Sequence, residues 1–180
     1  ITELHYITHI QNLPSICKQG ILSHKRAARI AHHSVASQEI QNRRARKRVP
    51  GGRRLHDYVN LYFCARNPML YKIKDRHLEL CVLQIDTKVL DVAGVVITDR
   101  NASSDWVRYA ASPHGVQIVD RDQVFAEYWT HPENQVMEWV HQSIKCAEVL
   151  VPDVVDNRYI NGGYASGKEV CRTIEKLRIS

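Results

Sequence analysis

The chain has 180 residues, 44% of them hydrophobic and 24% charged, with a formal net charge of +6. That length forms one domain, residues 1–180, with enough chain to bury a sizeable core. No apolar run approaches the roughly 20 residues a membrane span needs, and no signal-peptide pattern opens the sequence, so a cytoplasmic protein is expected. Five cysteines are scattered without a CxxC pair, which points to reduced thiols packed as small core residues and gives no zinc-site pattern.

In chain order, LHYITHI (4–10) alternates and reads as a strand. QNLPSICKQG (11–20) reads as a short helix capped by Asn12, with Pro14 in its first turn and Gly20 at its end. Residues 34–48 carry helix formers and no breaker, with Ser37 as a cap and Val49-Pro50-Gly51-Gly52 as the stop. This helix is too polar for a core and should lie on the surface or against a ligand. Stretches 55–63 and 68–73 read as extended or partly turned, and 78–86 and 94–99 as strands. Residues 101–110 suggest a capped helical turn, and 122–131 and 133–143 two helices split by Pro132. AEVLVP (147–152) is a buried strand and 167–177 an amphipathic helix. Strands and helices mix without βαβ alternation, which favours an α+β fold with a mainly antiparallel or split sheet.

Charge is unevenly spread. Lys25 to Arg54 holds ten basic residues and one acid, Glu39, whereas the chain from residue 55 onward is acidic on balance. Such a segment is the footprint of a polyanion partner, or else a solvated helix face or a docking tail. In the 38–46 region Ile40 and Arg44 share a helix face, so a core-facing Ile40 draws Arg44 inward. A partly buried guanidinium needs an anion, and both a structural carboxylate and a ligand phosphate remain open. Tyr58, Tyr62, Phe63 and Tyr71 gather around Met69, either as core or, with Arg54, Arg66 and Lys72, as a stacking surface. Glu148 is a lone acid at the mouth of an apolar strand, a costly place for a carboxylate without a partner. The ten histidines show no metal-ligand spacing, and no phosphate-binding or nucleophile-elbow motif is present.

The stretches YITHIQNLPSI (6–16), IQNRR (40–44), GGRRLHDYVNLYFCARNPMLY (51–71), TDRNAS (98–103) and KCAEVLVPD (145–153) together resemble the DarT family of DNA ADP-ribosyltransferase toxins, over nearly the whole chain. The resemblance implies an α+β, ADP-ribosyltransferase-like fold: a split antiparallel β-sheet with flanking helices and a central NAD cleft. It implies NAD as co-substrate, no metal, transfer of ADP-ribose to a base in single-stranded DNA, and a DarG-like macrodomain antitoxin as partner. Carried over residue by residue, it makes Arg44 and Glu148 catalytic and assigns NAD contacts to Tyr6, Ile7, Thr8, Asn12, Ser15, Leu22, Arg44, Tyr62 and Met69. A substrate loop would span about Trp106 to Lys145. Nucleic-acid contacts are then expected from Arg43, Arg46, Lys47, Arg48, Arg53, Arg54, Trp106 and Arg108. The same chemistry on RNA or protein, and a non-catalytic nucleic-acid-binding module, are the competing readings.

Overall fold

The architecture is that of a computed structural model, which describes residues 1–177. Seven strands form one sheet in the order β6-β5-β7-β3-β1-β4-β9, every neighbouring pair antiparallel. They are β1 (Leu4–His9), β3 (Tyr58–Tyr62), β4 (Leu80–Ile85), β5 (Val96–Thr98), β6 (Tyr109–Ala111), β7 (Glu148–Pro152) and β9 (Ile160–Ala165). β2 (Ile21–Leu22) and β8 (Val154–Val155) make a two-stranded ribbon beside it. The helices are α1 (Leu13–Gln19), α2 (His24–Ala27), α3 (Gln38–Arg46), α4 (Pro68–Lys72), α5 (Arg121–Phe125), α6 (Gln135–Lys145) and α7 (Lys168–Leu177). This is the α+β, mostly antiparallel class that the mixed pattern implied.

The sheet is split where it matters. β1 runs in continuous register with β4 from Leu4 to His9, but meets β3 at the single pair His5↔Tyr62. The two halves therefore part along Tyr6 to Thr8 on one side and Asn60 to Tyr58 on the other, and a cleft opens between them. Leu4, Leu61, Phe63, Ile85, Ile97 and Val149 are sealed in the core on either side of this seam. The chain enters the ribbon through Gly20 at φ 76°, where an added Cβ would stand 2.3 Å from the Val155 carbonyl oxygen. Only glycine satisfies both the left-handed backbone and the contact.

Several local expectations are corrected. Residues 68–72 are helical because Asn67 caps them, its Oδ1 accepting from Leu70 N, with Pro68 opening the helix. Residues 101–106 form a turn in which Asn101 Oδ1 accepts from Ser103 N, and the chain then enters β6 instead of a helix. The helix expected over 122–131 ends at Phe125. His141 Nε2 takes the Gln123 carbonyl, and Lys145 Nζ takes those of Val124 and Ala126, the acceptors that further turns would need. Helix α3 is shorter than 34–48, and Ser37 stands at its N-cap without a side-chain bond. Asn12 likewise makes no cap bond, donating instead to Thr8 Oγ1 and to the His33 carbonyl. All five cysteines are free, but only Cys81 and Cys146 are core residues. Of the aromatic group, Tyr62 alone packs in the same cluster as Met69, while Tyr58 and Phe63 belong to separate clusters.

Beyond β5, Asp99 organises the 99–108 loop. It is buried and accepts from the Arg108 backbone N–H and Nε, both at 2.9 Å, and from Arg100 Nη2 at 3.1 Å. Burial pushes its pKa up, but these donors outweigh that and hold the carboxyl below its ordinary value. A depressed carboxylate contributes stability above its unfolded pKa, about 3.9, and loses it as pH falls through the lower folded value. Asp99→Asn should therefore cost roughly 1.5–3 kcal/mol at neutral pH, as expected for hydrogen bonds to a charged group. The gap to wild type should close below about pH 4, and urea titrations across that range measure it. A gap that widened in acid would contradict the assignment.

Candidate active site

Between the parted strands lies a cavity of about 530 Å³, within the size range of small-molecule sites. Its floor comes from Tyr6, Ile7 and Thr8 of β1 and from Tyr58, Asn60 and Tyr62 of β3. Its walls come from Asn12, Leu22 and the 32–37 segment, from α3 through Ile40, Arg43 and Arg44, and from α4 through Met69 and Lys72. Asn101, Ser103, Trp139 and Cys146 close the far end.

Beneath this cleft sits one ion pair. Arg44 is 5% exposed and Glu148 0%. Arg44 Nη1 donates to both carboxylate oxygens, at 3.0 and 2.9 Å, and Ala102 N donates to Oε1 at 3.0 Å. α3 is polar everywhere except toward the cleft, so the packing of half-buried Ile40 carries Arg44, one turn on, inward. Glu148 opens β7, flanked by Val149, Leu150 and Val151, all within the core. Its backbone is clamped as well: Glu148 N donates to Thr98 Oγ1 at 3.0 Å, and that hydroxyl donates to the Arg100 carbonyl at 2.7 Å. The turn carrying Ala102 is held by Tyr109, whose hydroxyl donates to the Ala102 carbonyl at 2.9 Å, and by Asn101 N donating to Ser143 O at 2.8 Å. The carboxylate thus has three donor contacts and a fixed backbone, which offset the cost of burying it.

The electrostatics around the pair are simple. Burial alone lowers the Arg44 pKa, but the Glu148 carboxylate outweighs it, so the guanidinium stays charged. Burial, and then the Glu148 charge, push Tyr62 well above the usual phenol range and Cys146 up to about 12. Burial also lifts Tyr6 to about 12. The His24 and His56 rings lie 4.1 Å apart, tilted by 33°, and burial, neighbouring imidazole and Arg44 lower both their pKa values. The neighbours of the ion pair are therefore neutral near pH 7. Among the described residues no cluster of His, Cys, Asp or Glu is placed to hold a metal ion.

The structure brings most of the expected site residues together. Tyr6, Ile7, Thr8, Asn12, Leu22, Arg44, Tyr62 and Met69 all line the cleft. Ser15 does not: on α1 it accepts from Gln19 Nε2 and faces away from the cavity. Glu148 does not line the cavity either, because Arg44 lies over it. The basic segment is partly consumed internally. Lys25 pairs with Asp57, Arg26 and Arg53 with Asp153, and Lys47 with Asp105, while outside the segment Arg108 pairs with Asp99. Arg43, Arg46, Arg48 and Arg54 are exposed, and so is Trp106. Sequence reasoning missed the roles of Thr98, Ala102 and Tyr109, although TDRNAS held the signal: a threonine clamp followed by a turn whose amide faces the acid.

A split antiparallel sheet whose seam forms a cleft above a buried Arg–Glu pair defines an ADP-ribosyltransferase-like protein. Residues 5–178 match the family model described as DarT, ssDNA thymidine ADP-ribosyltransferase, and the chain belongs to that family. A DNA ADP-ribosyl transferase–DNA ADP-ribosyl glycohydrolase fusion protein of Thermosipho africanus is 34% identical over 180 aligned residues, covering 97% of this chain. The chain spans 45% of that fusion's length. The Thermus sp. 2.9 DarT structure in complex with ADP-ribosylated ssDNA superposes with a TM-score of 0.84 at 29% identity, over 98% of this chain and 87% of that one. The same enzyme with NAD+ gives a TM-score of 0.79 at 27% identity, over 98% and 87%.

Removing one partner of the buried pair should show its cost. Arg44→Met leaves Glu148 buried without its cation and should destabilise the fold by about 3–5 kcal/mol. Adding Glu148→Leu to that variant should restore most of the loss. Urea unfolding of the single and double variants measures both, and a neutral single variant would contradict the burial described.

Proposed function

We propose that this protein transfers ADP-ribose from NAD to thymidine in single-stranded DNA, with residues 1–180 acting as one catalytic domain in the cytoplasm. Membership of the DarT family, together with the Arg44–Glu148 pair beneath the cleft, carries the reading. The glycosidic bond between nicotinamide and the ribose C1′ breaks, and nicotinamide leaves with the bonding electron pair. The ribose becomes oxocarbenium-like, and a fixed carboxylate stabilises that charge far better in a dry site than in water. Thymine has one ring N–H, at N3. That nitrogen bonds to C1′, and its proton passes to Glu148 or to water. Arg44 is unsuited as a base, since an arginine pKa exceeds about 12. It holds the diphosphate or polarises the base, and NAD draws it partly off the carboxylate it covers.

The NAD contacts would come from Tyr6, Ile7, Thr8, Asn12, Leu22, Tyr62 and Met69 on the cleft surface. The neutral Tyr62 and Cys146 leave Glu148 the main negative charge beside the ribose. The exposed Arg43, Arg46, Arg48 and Arg54 would follow the phosphates of the strand, while Lys47, Arg53 and Arg108 are held by their carboxylates. The fused glycohydrolase of the Thermosipho africanus relative supports a DarG-like macrodomain antitoxin as partner, and a toxin's role for this chain.

Incubation with labelled NAD and separate pools of single-stranded DNA, duplex DNA, RNA and protein tests the reading. Label should enter single-stranded DNA at thymidine, and Glu148→Gln should reduce transfer by at least about 100-fold while NAD affinity holds. Label entering only RNA or protein would overturn the substrate assignment. Binding of a short oligonucleotide should weaken with salt at a log–log slope of roughly −3. That is about −0.7 for each phosphate met by a free arginine, and a flat response would remove the phosphate track.

A further inference from the structure

On the side of the cleft away from α3, rings and cations alternate over the surface. α4 contributes Met69 and Lys72 to the cleft wall and turns Tyr71 outward, 56% exposed. Lys74 Nζ lies 4.0 Å from the Tyr71 ring centroid. Trp129 meets Tyr71 edge-on at 5.9 Å, and beside it Tyr128 is 69% exposed with the Arg66 guanidinium 5.6 Å from its ring. Past Arg66 the surface dips into a second hollow that Arg121 and Phe125 also line.

These rings are held in place at a cost. Lys145, 1% exposed, spends its ammonium on the Val124 and Ala126 carbonyls and lies 5.5 Å from the Trp129 ring. A buried cation that meets two carbonyls and the Cys64 thiol but, among the described residues, no carboxylate is expensive, and its effect is to pin the segment that presents Tyr128 and Trp129. The acids in this strip are few: Glu127, 3.6 Å from Arg66, and Asp75, which follows Lys74.

We propose that this strip is a second track for single-stranded nucleic acid, on which bases flanking the target stack on Tyr71 and Tyr128 while Lys72, Lys74 and Arg66 meet the phosphates. It rests on the reading of the cleft as a DNA-modifying site. Flat rings accept any base and cations accept the backbone, so the track is sequence-tolerant. Cations interleaved with exposed rings, and continuity with the cleft through Met69 and Lys72, favour a polyanionic strand over a protein.

Fluorescence anisotropy with labelled oligonucleotides tests this. Single OB-type sites cover about 4–16 nucleotides, so strands of roughly 5 and roughly 20 nucleotides around one thymidine separate cleft binding from track binding. The longer strand should bind wild type at least about 10-fold tighter, from stacking of two bases. The Tyr71→Ser/Tyr128→Ser protein should lose that advantage and keep its affinity for the short strand, which also reports that it is folded. Tyr71→Phe/Tyr128→Phe should retain the advantage, because the rings remain. Equal affinity of wild type for both lengths, or a double serine variant that still prefers the long strand, overturns the track. Bound oligonucleotide that gains no ADP-ribose counts against the function proposed for the cleft, and leaves the track standing.

Discussion

One buried ion pair organises this molecule. Glu148, sealed at the head of an apolar strand, is a costly carboxylate that Arg44 and the Ala102 amide compensate. Arg44, in turn, would have no reason to leave water on a helix otherwise so polar. The pair joins elements 104 residues apart in sequence and fixes α3 against the sheet just where β1 and β3 separate. Cleft, strand and helix are thus different consequences of keeping one carboxylate dry and paired.

The surroundings extend that constraint. Tyr6, Tyr62 and Cys146 keep their protons because they are buried, and Tyr62 and Cys146 also because Glu148 is ionised nearby. In such a medium a single negative charge acts strongly on whatever positive charge approaches it. A helix-borne cation over the acid serves the resting fold, and a sugar cation formed in the cleft serves the reaction. Both draw on the same preorganised carboxylate, which explains why its backbone is clamped through Thr98 rather than left to a flexible loop.

Much of this was legible along the chain. Period-2 alternation located β1, the apolar run located β7, and the shared helical face of Ile40 and Arg44 turned that arginine inward. The two open readings of its partner, carboxylate or ligand phosphate, resolve structurally to Glu148, which the sequence could present only as a lone acid. What was not legible depended on long-range partners. The end of α5 is set by Lys145 and His141 capturing its carbonyls, and the donor to Glu148 is a backbone amide that any residue could supply. Charge counting overstated the basic surface because Asp57, Asp105 and Asp153, all outside the segment, pair with four of its cations. Ser15 shares a stretch with Asn12 but falls on another face of the chain, and resemblance by stretch does not distinguish faces. The helix at 68–72, by contrast, carried an Asn-Pro start signal that local reading passed over.

The most direct test is a crystal structure of the protein with a non-hydrolysable NAD analogue. The account predicts a hydroxyl of the nicotinamide ribose within about 3.2 Å of a Glu148 carboxylate oxygen, with Arg44 drawn off at least one of the two oxygens it covers. A ribose bound elsewhere, with the Arg44–Glu148 pair unchanged, would contradict it.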